Sequence, residues 1–428
     1  MMKVIRYPER AEWTSLLERP HIDMTALYAT GNRVLTYVRS GGDRAVLDYV
    51  EKFDRGRLSS LQVTEAEMEA AEQLIPEELK DALQQAERNI ATFHEAQRFQ
   101  GKKIETAPGV VCWQKAVPIE KVGLYIPGGT APLFSTVLML AVPARLAGCR
   151  EIVLCTPPDR EGRVNPAILY AARLAGVHRI FKAGGVQAIG AMAYGTETVP
   201  KVYKIFGPGN QYVMAAKQQV SLHEVAIDMP AGPSEVLVVA DEKANPVFVA
   251  ADLLSQAEHG ADSQVLLVTT SDWMLERVRE EVQVQLEQLP RRELAVRSLE
   301  HSKLILVRSM EEAMELANAY APEHLILEVE DYTSLSEKVV NAGSVFMGAY
   351  TPESAGDYAS GTNHTLPTSG YARAYSGVNL DSFVRKITFQ ELSPEGIRNI
   401  GPAIEKLASG EQLDAHKNAV TLRLLSLQ

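Results

Sequence analysis

The sequence predicts an α/β protein: two parallel βα domains, preceded by a helical region and followed by a helical tail. Three observations carry this. From Lys121 onward, apolar runs of four to six residues alternate with helical patterns, as parallel βα units do. The alternation falls into two series, divided at a proline-rich stretch over residues 230–233. The chain has 428 residues, 46 % of them hydrophobic, enough for two globular cores.

Residues 1–120 read as mostly helical and are expected to pack on the second βα domain. Thr64-Glu-Ala-Glu67 has the form of a capping box, and Met68, Ala71, Leu74 and Ile75 follow at helical spacing. The first βα domain, 121–233, opens with VGLYIP, then a glycine turn and a helix. EIVLCTPP, HRIFKAGG and KVYKIFGPGN repeat the pattern. The second domain, 234–375, opens with SEVLVVAD and continues through QVLLVTT, KLILV, LILEV and SVFMG, with helices between. Residues 376–428 hold short amphipathic segments with too little apolar surface to fold alone. Ser409 and Gln412 mark the start of a last helix.

Charge and cysteine usage narrow the function. Asp and Glu total 54 against 43 Lys and Arg, a net charge of -11. A phosphate-binding surface wants the opposite sign, so nucleic acid is not expected as a partner. Cys112, Cys149 and Cys155 form no C-x-x-C pair, which argues against a disulfide framework. The polar N-terminus lacks a signal-peptide core, and the longest apolar run, 133–147, is broken by polar residues and proline. We expect a cytoplasmic protein with no membrane contact.

Six segments offer chemistry. The turns at Pro127-Gly128-Gly129-Thr130, Gly184-Gly185-Val186-Gln187 and Gly207-Pro208-Gly209-Asn210 each follow a strand. Each is either a tight βα turn or a cradle for a cofactor phosphate, and three at one sheet edge favour the cradle. DMPAGPSE, 228–235, is either a linker or a cleft mouth presenting Ser234. In LLSQAEHG, Gln256 and His259 share one edge of a helix that Gly260 would cap. They form either an ordinary helix end or two donors to a metal. Glu323-His324 opens a strand; adjacent acid and imidazole suit proton transfer, though a solvated helix end is the plain alternative. The loop 354–370 carries Asp357 and His364, a hard oxygen donor and an imidazole to ligate or support it. The tail offers Glu411 and His416 on what reads locally as a surface helix. Cys155 ends a strand without a basic neighbour and reads as a core thiol.

Taken together, VGLYIPGGTAPLFSTVLMLAVPA, IFGPGN, IDMPAGPSEVL, ADLLSQAEHG, APEHL, AGDYASGTNHTLPTSG and AHKNAVTLR resemble histidinol dehydrogenases, from about residue 120 to the end. The resemblance implies two Rossmann-like domains and a homodimer whose C-terminal tails are exchanged between subunits. It implies NAD⁺-dependent oxidation of L-histidinol to the aldehyde and then to L-histidine, with one Zn²⁺ per site. By motif, the zinc ligands are Gln256, His259, Asp357 and His416, and the acid/base pair is Glu323 and His324. Ser234 and Glu411 join Gln256, His259, His324, Asp357 and His416 around the substrate, and Tyr125, Gln187 and Asn210 touch NAD⁺. Glu411 and His416 would complete the neighbouring subunit's site. His364 is left as a residue supporting a ligand. Without the resemblance, the same donors could serve a zinc hydrolase or a non-catalytic, metal-stabilised dimer. A hydrolase would not require the three glycine turns.

Overall fold

The computed structural model describes residues 2–20, 24–128 and 132–428. Its first elements are strand β1 (Lys3–Arg6) and helix α1 (Trp13–Leu16). Helices α2 (Met24–Phe53), α3 (Glu65–Gln73) and α4 (Glu77–Glu95) follow. The expected capping box opens α3: Glu67 N–H donates to the Thr64 hydroxyl, and Thr64 N–H donates to the Glu67 carboxylate. Then come β2 (Ile104–Ala107) and β3 (Val110–Pro118), strands in a region expected to be mostly helical.

The first βα unit runs β4 (Lys121–Tyr125), α5 (Phe134–Ala147), β5 (Glu151–Thr156), α6 (Pro166–Leu174), β6 (Arg179–Lys182), α7 (Gly185–Tyr194), β7 (Lys204–Phe206), α8 (Gln211–Ser221) and β8 (Ala226–Ile227). Its strands are parallel in the order β6-β5-β4-β7-β8. The chain proceeds outward from β4 in both directions, so the crevice for a ligand opens beyond the C-terminal ends of the strands beside β4.

The second unit runs β9 (Glu235–Ala240), α9 (Pro246–Ala257), β10 (Gln264–Thr269), α10 (Asp272–Leu286), α11 (Arg292–Glu300), β11 (Lys303–Leu306), α12 (Met310–Tyr320), β12 (His324–Glu328), α13 (Tyr332–Ser336), β13 (Ser344–Met347) and α14 (Glu353–Tyr358). Its sheet is parallel in the order β1-β11-β10-β9-β12-β13. Every residue of β9, β10 and β12 is buried, which is why these strands read as unbroken apolar runs.

The N-terminal region corrects one expectation. Helices α2, α3 and α4 pack on the first βα unit, against α7 and α8, α6, and α5 respectively. The apolar stripe of α2, including Val34, Leu35 and Val38, shares a core with Ile189 and Met192. Leu83 and Ile90 of α4 share another with Leu138 and Val142. The first residues join the second unit, where β1 extends its sheet and Leu16 and Leu17 enter its core, and α4 touches it through Asn89 Nδ2, which donates to the Ala359 carbonyl at 2.7 Å.

The tail holds β14 (Val384–Leu392), α15 (Pro394–Gly410) and α16 (Asp414–Leu425). β14 pairs antiparallel with β3 from Val384 opposite Pro118 to Leu392 opposite Val110, in a sheet ordered β14-β3-β2. The last-helix signal at Ser409 also needs correction, because Ser409 lies inside α15. Ser393 caps that helix by accepting from Gly396 N–H. Gln412, at φ 60°, is in the left-handed region that interrupts a helix, and α16 begins just after it. Among the described residues, no helix is long and apolar enough to cross a membrane.

One buried ion pair fastens the end of the first series, after β8, to α8 and the turn after β7. Lys217 Nζ donates to Asp228 Oδ1 at 2.5 Å and to the Gly207 carbonyl at 2.8 Å, while Gly207 N–H donates to Asp228 Oδ2 at 2.8 Å. Both side chains are buried. Lys217→Met would leave the Asp228 carboxylate buried with its cation gone. We expect a loss of about 3–5 kcal/mol, measured as a fall in the urea midpoint with an unchanged slope.

Candidate active site

β9 and β12 are neighbours, with His324 opposite Val236. This register sets Glu323 and His324 beside Glu235, where both strands begin. Glu323 Oε2 accepts from Glu235 N–H at 2.9 Å and from Gln256 Nε2 at 3.3 Å. His324 Nδ1 lies 3.1 Å from the Glu235 carbonyl. A carbonyl only accepts, so Nδ1 carries the proton and Nε2 keeps a lone pair. That Nε2 is buried without a hydrogen-bond partner, 3.9 Å from Asp357 Oδ1.

Burial decides the protonation states here. It pushes the His324 imidazole down to about 3, with His259 and His364 adding to the effect against the Glu235 carbonyl. Burial also pushes the Glu323 carboxyl well above the usual carboxylate range. The Glu235 N–H opposes that shift, and the charges of Glu235 and Asp357 add to it. At neutral pH the imidazole is therefore neutral, and the Glu323 carboxylate beside it is a stronger base than an exposed one.

Glu235 is the wall behind the pair. Arg19 Nε and Nη2 donate to its two oxygens at 2.6 and 2.8 Å, and Ser369 N–H adds a third bond at 2.7 Å. The Arg19 guanidinium lies 4.0 Å over the Tyr320 ring, whose hydroxyl donates to Gln264 at 2.8 Å. The sequence reading missed both Arg19 and Glu235. Glu235 was visible at the end of DMPAGPSE, but no local pattern marks an arginine 216 residues away.

The second half of the cluster comes from α9 and α14. Gln256, in the last turn of α9, is 1 % exposed, and its Oε1 has no partner. The helix ends at Ala257 with Glu258 as its cap, so the expected cap at Gly260 is not used. His259 lies just beyond the end, its N–H donating to the Gln256 carbonyl at 3.3 Å. The segment read as a loop from residue 354 starts as helix α14, which carries Asp357 and, one turn earlier, Glu353. Donor atoms of His259, Glu353 and Asp357 lie within 4.8 Å of one another. Burial pushes Asp357 up to about 7. His364 is held at both nitrogens, by the Asp357 carbonyl and the Thr136 hydroxyl, each at 3.0 Å. It therefore braces Asp357 and has no nitrogen left for a ligand's role.

The donors fit a divalent cation. An amide oxygen without a donor, an unshared imidazole lone pair and crowded buried carboxyl groups are all unfavourable alone. One ion with nitrogen and oxygen ligands would satisfy them together. Within one chain, Glu411 and His416 take no part in this cluster. Both are exposed, at the end of α15 and on α16, which pack on each other.

The glycine turns border a separate cleft of about 1280 Å³ on the first βα unit. Tyr125, Gln187 and Asn210 all line it, as do Gly128 and Gly185; Gly129 and Thr130 lie outside the described residues. The Tyr125 hydroxyl accepts from Gly185 N–H at 3.0 Å, and burial raises it to about 12. Asn210 caps α8 through its side-chain oxygen. Asp54, which no motif flagged, also lines the cleft, and burial alone raises it to about 6. Ser234 directly precedes β9, between this cleft's unit and the acid/imidazole pair. Cys155 is fully buried and its thiol is pushed far up by burial, as expected of a core residue.

Comparisons with known proteins agree along the whole chain. The family model described as histidinol dehydrogenase matches residues 17–424. A histidinol dehydrogenase of Bacteroides thetaiotaomicron is 69 % identical over 428 residues, covering 100 % of both chains. One described as chloroplastic, from Arabidopsis thaliana, is 53 % identical over 97 % of this chain and 89 % of its own. The crystal structure of histidinol dehydrogenase from Elizabethkingia anophelis superposes with a TM-score of 0.98 at 55 % identity, covering 100 % of this chain and 98 % of that one. This chain is a member of the histidinol dehydrogenase family of oxidoreductases.

Proposed function

We propose that the protein oxidises L-histidinol through L-histidinaldehyde to L-histidine, the last two steps of histidine biosynthesis, reducing two NAD⁺. The observation that carries this reading is the unpartnered lone pair of His324 Nε2, set among the donors of Gln256, His259 and Asp357. His324 takes the alcohol proton through Nε2 as hydride leaves the carbinol carbon for NAD⁺. Nδ1 keeps its proton and donates it in a hydrogen bond to the Glu235 carbonyl, which fixes the tautomer. Glu323 then accepts a proton from the water that adds to the aldehyde, ahead of the second hydride transfer.

Gln256, His259 and Asp357, with His416 of the partner subunit, would hold one Zn²⁺, which when bound supplies a template orienting the substrate's imidazole and amine. Ser234, and Glu411 of the partner subunit, would contact the substrate, and Tyr125, Gln187 and Asn210 the NAD⁺. The first βα unit, 121–233, is then the NAD⁺ side and residues 234–375 the zinc and proton side. Residues 376–428 would be a dimerising tail exchanged between subunits. Leu407, Leu413, Leu422 and Leu425, between 42 % and 70 % exposed on that tail, support a covering partner. The three free thiols suit a reducing, cytoplasmic compartment.

The test follows NADH absorbance with L-histidinol as substrate. Two NADH per histidine, abolished by a chelator and restored by zinc, is the expected result. A zinc-supplied enzyme that forms no NADH would overturn the reading.

A further inference from the structure

Glu353 is 1 % exposed, and its Oε2 has no hydrogen-bond partner. Among the described residues, nine buried side-chain polar atoms lack a partner, and three of them, on Gln256, His324 and Glu353, belong to this one cluster. The contrast with Glu235 is instructive. Glu235 is equally deep in the protein, yet it is matched by Arg19 and by the Ser369 N–H. The charges that act on Glu353 are those of acids, Asp357, Glu323 and Asp252. A buried carboxyl kept for structure is paired with a base or a donor. One left unpaired, facing other acids, is neutral when it keeps its proton and ionises only when a cation is bound beside it.

The position of that cation follows from geometry. Glu353 and Asp357 are one helical turn apart on α14, so both project from the same face. Their oxygens and a His259 nitrogen lie within 4.8 Å of one another. We propose that Glu353 is itself a ligand of the metal site, giving each chain four donors of its own: Gln256, His259, Glu353 and Asp357. Two carboxylates balance the charge of a divalent ion. The positions still open belong to substrate and to the neighbouring subunit's imidazole. This rests on the reading of a metal at this site and adds a ligand to it.

The experiment measures zinc binding to the intact protein by competition with a chromophoric chelator, for wild type, Glu353→Gln and Glu353→Asp. Groups that merely support zinc ligands cost about 10–100-fold in affinity when removed, so Glu353→Gln should lose at least about 10-fold. The d–d absorbance of the cobalt-substituted protein should shift as well. Metal-free Glu353→Gln should melt at or above the metal-free wild type, because an uncharged amide replaces a buried acid, and zinc should raise its melting temperature less. Glu353→Asp keeps the charge on a shorter arm and should bind with intermediate affinity. Zinc affinity within twofold of wild type, with an unchanged cobalt spectrum, overturns the proposal. So does an effect on the KM for histidinol alone, which would make Glu353 a substrate contact. A wild type that binds no zinc would instead overturn the metal reading beneath it.

Discussion

Replacing His324 by glutamine is expected to slow the first hydride transfer by about 10²–10⁴-fold, the range for a lost general base, at unchanged zinc content. Glutamine can still donate to the Glu235 carbonyl, the bond His324 makes through Nδ1 at 3.1 Å. It cannot present a basic lone pair where Nε2 now stands without a partner. Single-turnover absorbance of NADH measures the step directly, with zinc counted by mass spectrometry on the same sample. Equal loss of zinc and rate would make His324 a ligand rather than a base. Glu323→Gln makes a useful contrast. Its Oε2 accepts from Glu235 N–H and Gln256, so the amide variant should keep the backbone bond while losing the ability to take a proton from water. The second NADH should then appear more slowly than the first, whereas His324→Gln delays the first.

How far the sequence foretold this arrangement depended on how local each feature was. The central strands were legible because both of their faces are buried, so apolar runs mark them without ambiguity. β14 was not, because nearly all of it is exposed and its partner, β3, lies more than 250 residues away. The helices α2 to α4 showed stripes that had to be buried, but a stripe does not name the surface it meets. The stripe alone therefore does not say which βα unit these helices cover.

The site follows the same rule. Gln256 and His259 were visible through their spacing, as were Glu323 and His324 through adjacency. Glu353 and Asp357 have helical spacing as clear as any of these, yet the Gly- and Ser-rich composition of 354–370 suggested a loop and hid the pairing. Arg19 had no local signal at all: it matters only because folding carries it to Glu235. Sequence spacing finds donors on one element, and only the fold says which elements meet.

The second large effect concerns the tail. Within one chain, His416 stands exposed on α16, apart from the cluster of His259, Glu353 and Asp357. If His416 completes the neighbouring subunit's site, His259→Asn and His416→Asn should each lower turnover by more than about 10²-fold. They should also complement each other. In a two-fold symmetric dimer, a heterodimer of the two variants carries one site with both lesions and one with neither. Random refolding makes about half of the dimers mixed, so about a quarter of wild-type activity should return. Each variant refolded alone should stay inactive. The amount recovered is diagnostic because sites built within one chain predict none, whatever the dimer's shape. Recovery of about a quarter would mean that α15 and α16 serve the body of the other subunit. No recovery, with mixed dimers demonstrated by a tag on one variant, would confine each site to a single chain.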